Sequence, residues 1–388
     1  MRKLRWSMAV LLVSVLVTGL NGAPAGAAKV SAKTVKLAPG LTWTSIVDPM
    51  GPFRINVLTV KPSRFVRLDV TQAGTVLPAI ATTSRMAKRA HALAAVNGDF
   101  GAWDGAATHP YMQDGDLVQT GVQVGSLLAF ATNLKLAYVG RPDLSLTVDD
   151  GGSHKPRKIA AWNGGPPLLD QMVGFTDAGG TLQVPPAGAC SVRLLPSGPS
   201  TWAPGKLEMQ GTYTVDTVEC GGSSMPTKGG VVLSTLPTSI RAGWVQSLVP
   251  GQALTVARSV GWAKVAEAIG GMPVLVQAGL SVAPTLCSPV EFCYRDPRTG
   301  VGINDACMAG SAECRVFLMT VDGRAAGSVG MTLTEEAERL LQLGATWAMN
   351  LDGGGSTVMW IRGYGVVNRP SDGRKRRVPN ALVIVPKK

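Results

Sequence analysis

Residues Asp352–Thr357 read DGGGST, between the largely apolar runs WAMNL and VMWI. Glycine loses more conformational freedom on folding than any other residue, so three in a row persist only where backbone bends sharply or approaches something closely. A phosphate-cradling P-loop carries its glycines into a helix N-terminus and follows them with Lys. Here they lie between two strand-like runs and no Lys follows, which excludes that reading. The expectation is a tight strand-to-strand turn whose amides and Asp352 carboxylate face one space.

The rest of the chain is consistent with such turns. Short runs of branched apolar residues, punctuated by Gly and Pro, predict an α+β protein with a mixed, strand-rich sheet core and a few packed helices. FRINVLTV and RFVRLDVT read as a pair of strands joined through Lys61-Pro62-Ser63. TSRMAKRAHALAAV reads as a helix running into a buried strand that ends at NGDF, and QDGDLVQTG as a hairpin with Asp-Gly at its tip. GGMPVLVQAG reads as a strand entered through two glycines, and RVFLMTVDGR as a strand ended by an Asp-Gly turn. MTLTEEAERLLQLG is the clearest helix: Thr332 and Glu335 form a capping box, Leu333, Ala337, Leu340 and Leu341 one apolar face, and Gly344 the stop. Residues 141–260 hold strand-like pieces and no legible chemistry.

The N-terminus opens MRKLRW, continues through an apolar run too short to span a bilayer comfortably, and reaches NGAPAGAA, the pattern of a signal peptide cut near residue 28. A single-pass anchor is the rival, and no later stretch reads as a membrane span. Residues 1–28 contain Arg2, Lys3 and Arg5 and no acid, so their removal lowers the formal charge from +12 to +9. A basic surface favours anionic partners such as cell-wall or phosphorylated glycans. The one dense basic run, Arg374 to Arg377, reads as a solvated loop, so nucleic acid is not expected as a partner. All six cysteines lie in the remaining 29–388, as expected of a disulfide-stabilised protein that is secreted or wall-associated. Proximity suggests Cys190 with Cys220 and the other four among themselves; zinc is disfavoured because no CxxC pair occurs.

In order, GPFRINVLTV, AAVNGDF, GGMPVLVQAG, PRTGVGIN, TVDGR, GMTLTEEAERLLQLGA, NLDGGGST and VNRPSDGRKRRVPNALVIV resemble the phosphodiester glycosidase family. That domain is shared by secreted bacterial proteins and by the animal enzyme that removes N-acetylglucosamine from phosphodiester-masked mannose. The likeness runs from Leu41 to the C-terminus, best over 41–130 and 270–388. It implies hydrolysis of a sugar 1-phosphodiester at the anomeric carbon, releasing free sugar and a phosphomonoester. Two departures stand out: Gly101 follows NGDF where the family commonly has a second aromatic, and GGGST replaces GGGSS but keeps a hydroxyl.

Such chemistry needs carboxylates near C1 and guanidinium groups near phosphate. Asp352, with three glycines leaving its approach open, is the first catalytic candidate, and Asp99 in NGDF the second; each could instead serve its own turn. Asn97 and Asn350 precede those acids by two residues and would share their faces in a strand, either binding sugar hydroxyls or satisfying strand ends. Arg298 with Thr299, and Arg324 with Asp322, are the phosphate candidates, because guanidinium matches phosphate oxygens in a planar fork. Gly353, Gly354 and Ser356 would offer amides and a hydroxyl. His109 is a possible proton carrier without a visible constellation, and Glu335 is explained by its capping box. Asp99, Asp322 and Asp352 could gather a hard cation, but no ligand loop is legible and no metal or cofactor is assigned. The alternatives are a hydrolase of an unphosphorylated wall or capsule glycan and a non-catalytic glycan-binding module.

Overall fold

The computed structural model describes residues 29–387 other than 103, 153–154, 181–183, 203–206, 223 and 286–293. The expected signal peptide, Cys287, Cys293 and Lys388 lie outside the described residues.

Two antiparallel sheets build the part of the molecule that carries the glycine-rich turn. In the eight-stranded one, Leu41–Asp48, Phe53–Val60, Val316–Val321, Arg298–Ile303, Trp347–Asn350 and Val274–Gln277 follow one another. In the five-stranded one, Met359–Ile361, Ala94–Asn97, Asn380–Pro386 and Val66–Gln72 are neighbours. Alternation decides which faces meet. Leu58, Val60, Leu318, Val301 and Ile303 of the first sheet pack against Leu68, Val70, Val96, Leu382 and Ile384 of the second, all buried in one core. The opposite face of the larger sheet buries Val57, Met319 and Val321 against Leu333, Ala337 and Leu340 of helix Leu333–Gln342.

That helix starts where the sequence predicts, with the Thr332 and Glu335 capping box formed in both directions and Gly344 beyond its end at φ 96°. The smaller sheet is backed by helix Thr83–Arg89, whose Ala87 packs with Ala95, Val383 and Trp360. The hairpin of Tyr111–Gln113 with Asp116–Gln119 turns on Asp114 and Gly115, both at positive φ. Residues 145–259 fold into a nine-stranded sheet with its own core, which includes one parallel pair, Ala161–Trp162 with Met172–Thr176. Cys190 bonds Cys220 across adjacent strands there, as expected, and Cys307 bonds Cys314.

Three connections differ from the sequence reading in one respect. Phe53–Val60 and Val66–Gln72 are both strands, but they belong to different sheets and do not pair. GGMPVLVQAG is two strands, Glu267–Gly271 in a separate five-stranded sheet and Val274–Gln277 in the eight-stranded one. Trp347–Asn350 and Met359–Ile361 flank the glycines from opposite sheets, so DGGGST is a crossing between layers and not a hairpin, with a short 3-10 turn at Gly354–Ser356. A local pattern predicts a strand but not its partner, which is why the crossings were illegible.

Candidate active site

The glycines are explained by what lies against them. A Cβ on Gly353 would stand 2.8 Å from the Pro297 carbonyl oxygen, and one on Gly355 would stand 2.1 Å from Asp372 Oδ2. Gly354 adopts φ 58°, a region L-residues rarely enter, and a Cβ there would meet the Arg324 guanidinium at 3.1 Å. Its amide donates to the Pro297 carbonyl at 2.9 Å. The crossing is therefore pressed between strand-end backbone and a ring of charged side chains, and Asp352 sits at its entrance.

Asp352 donates its amide to the Gly98 carbonyl at 3.1 Å, which ties the entrance to the end of strand Ala94–Asn97. Its side chain is half-buried. Burial pushes the carboxyl up to about 7, and the charge of Asp99 adds to the rise; the Ser356 hydroxyl, the Arg376 charge and the Gly353 amide work in the opposite direction. The two carboxylates singled out from sequence thus belong to one electrostatic centre.

They are not equivalent within it. Asp99 is fully buried, and its oxygens accept from the amides of Phe100 and His109 and from His109 Nδ1, the last at 2.5 Å. Its own amide donates to Asn380 Oδ1 at 2.8 Å. With every oxygen engaged by protein, Asp99 holds His109 and the strand end; its geometry differs from the expectation of a second carboxylate facing a sugar. His109 is equally buried, and its Nε2 has no hydrogen-bond partner among the described residues. Gly125 and Gly270 make room for His109: a Cβ on Gly125 would lie 2.1 Å from the ring's Cδ2, and one on Gly270 would lie 2.2 Å from the His109 Cβ.

The rim is basic. Arg324 forms two bonds to Asp296, at 2.7 and 3.0 Å, and lies 3.8 Å from Asp372. Arg376 closes on the other side of Asp372 at 2.7 Å. Both guanidinium groups are about half exposed, at 50% and 47%. Arg376 went unnoticed in the sequence because it falls within the basic run read as a solvated loop.

Arg298 lies elsewhere. It is 2% exposed, donates to the carbonyls of Met331 and Tyr294, and stands 4.0 Å from Glu336, beneath the helix. The expectation of a phosphate-binding Arg298 is corrected: PRTG opens an interior strand, and burial there also pushes the Glu336 carboxyl up to about 8.

The neutral candidates hold the site together. Asn97 donates to the Asp352 carbonyl at 2.6 Å and accepts from Thr299 Oγ1 at 2.8 Å and from the Val358 amide at 3.0 Å, so its amide is used by protein and not by a sugar. Asn350 donates to the Met272 carbonyl at 2.7 Å, while its buried Oδ1 has no partner among the described residues. Ser356 Oγ is likewise buried without a hydrogen bond of ordinary geometry. Asp322 is buried and accepts from the Arg369 amide at 2.8 Å.

Comparison with known proteins adds a family match over part of the chain, and a fold. Residues 206–385 match the phosphodiester glycosidase family model, so the likeness read from the sequence is present over the C-terminal part; Asp99 falls outside the matched span. A hypothetical protein from Synechocystis superposes with a TM-score of 0.69 at 22% identity, covering 91% of this chain and 63% of that one. A putative exported protein from Burkholderia pseudomallei superposes at 0.60 and 23% identity, covering 87% and 74%. These two show a shared fold. The catalytic domain of zebrafish N-acetylglucosamine-1-phosphodiester alpha-N-acetylglucosaminidase, auto-inhibited by its pro-peptide, gives 0.45 at 15% identity, covering 93% and 85%. No curated protein matches the chain.

Proposed function

We propose that the protein is an extracytoplasmic hydrolase of sugar 1-phosphodiesters, cutting the bond between the anomeric carbon and the phosphate oxygen. The observation that carries the reading is Asp352: a carboxyl lifted to about 7 at the entrance of the glycine crossing, with the Arg376 charge acting on it and Arg324 and Asp372 against the glycines. The family match and the two disulfides support it. Among the described residues no helix is long and apolar enough to cross a membrane.

In this mechanism the C1–O bond breaks and its electron pair leaves on the phosphomonoester, whose charge Arg376 and Arg324 stabilise. Asp352, ionised above about 7, takes the proton of the water that attacks C1. Asp99 is a positioning residue: it fixes His109 and, through the Gly98 carbonyl, the Asp352 entrance. The test is incubation of the purified protein with an N-acetylglucosamine 1-phosphodiester and with a simple aryl glycoside. Free sugar from the first and not the second is expected; the reverse pattern would assign the site to an unphosphorylated glycan.

A further inference from the structure

Four strands of the larger sheet stand side by side with Ser45 in register with Asn56, Asn56 with Thr320, and Thr320 with Thr299. Residues in register on neighbouring strands project from the same face, so these four make one polar row. At its inner end Thr299 donates to Asn97, which holds the Asp352 carbonyl. At its outer end a cavity of about 450 Å³ opens, lined by Ser45, Asn56, Arg54, Asp322 and Arg369 among others. Neighbouring strands lie about 4.8 Å apart, so Asn56 and Thr299 are separated by roughly 10 Å. From Asn56 to Thr299 the row is itself buried, so it joins the cavity wall to the Asp352 entrance through protein.

The polar groups of this cavity are largely unspent. Neither Arg54 nor Arg369 forms an ion pair among the described residues, although the charge of each reaches Asp322. Asn56 Oδ1 accepts from Trp43 Nε1 at 3.0 Å, which turns the amide so that its N–H groups remain available. Thr320 Oγ1, beneath the cavity in the same row, is buried without a partner among the described residues. Two guanidinium groups facing one carboxylate leave a surplus of positive charge, beside donors suited to hydroxyl groups.

We propose that the cavity between Arg54 and Arg369 is a second subsite, which takes the anionic group of the unit next to the one cut, so that the substrate is a glycan with repeated negative charge. The location of the subsite stands on its own; its place in a substrate rests on the function proposed above. Inorganic phosphate, then a hexose phosphate, is titrated into the Asp352→Asn protein and followed by tryptophan fluorescence, with Trp43 as the nearby reporter. The Arg54→Gln/Arg369→Gln double variant should weaken the stronger binding about tenfold, the scale of losing one charged hydrogen bond. Removal of all binding by Arg376→Gln, with the double variant unchanged, would overturn the subsite. In turnover, a phosphodiester whose leaving group carries a second phosphate should show a KM about tenfold lower than one without it, and the double variant should erase the difference at unchanged kcat. Binding that depends on Arg54 and Arg369 without any hydrolysis would sink the proposed activity and leave the subsite standing. Hydrolysis indifferent to the second phosphate, with binding indifferent to the double variant, would do the opposite.

Discussion

Asp352 and Asp99 divide their labour by environment. As a base toward water, Asp352 should give a turnover rate that rises with pH through about 7 and then levels, and Asp352→Asn should lower it by roughly 10²–10⁴-fold without unfolding the protein. Because the Asp99 charge helps to raise the Asp352 carboxyl, Asp99→Asn should move that rising limb to lower pH, a shift that a purely structural loss would not produce. Glu336 bears on stability instead. Its carboxyl rises from 4.5 to about 8 on burial, so the folded chain holds the extra proton between those values. The stabilisation is complete below about 4.5 and is lost as pH rises through about 8. Melting temperature should therefore fall between about pH 5 and pH 9, and Glu336→Gln should flatten the curve. Asp352 was legible because glycines leave a mark in sequence; Arg298 was not, since PRTG looks like a loop until its strand is seen to be interior on both faces.

At the scale of elements, the helix Leu333–Gln342 was readable to its caps because capping box, apolar face and terminal glycine are all local signals. Thr332→Ala should lower stability by about 1 kcal/mol in a denaturant titration and leave turnover unchanged, since Glu335 is engaged by its cap and by Arg295. The crossings are the opposite case. A run such as GGMPVLVQAG announces apolar extended chain, but whether it continues one strand or changes sheet depends on contacts far away in sequence. The same limit hid the use made of Asn97: its position at a strand end was visible, whereas its bonds to Asp352, Thr299 and Val358 come from three separate segments.

For the whole molecule, facing sheets bring the ends of their strands to one rim, where Asp352, the Asp99 and His109 pair, and the Arg324, Asp372 and Arg376 chain converge. The nine-stranded sheet has its own core and carries the Cys190–Cys220 bond. Replacing both cysteines by Ser should lower stability by about 2–4 kcal/mol, read by thermal denaturation, with turnover intact well below the transition. The central claim concerns which bond breaks. Hydrolysis of the sugar 1-phosphodiester in water labelled with heavy oxygen, followed by mass spectrometry of both products, tests it directly. Label in the hydroxyl of the released sugar is the predicted result; label in the phosphomonoester would mean attack at phosphorus and would contradict the account.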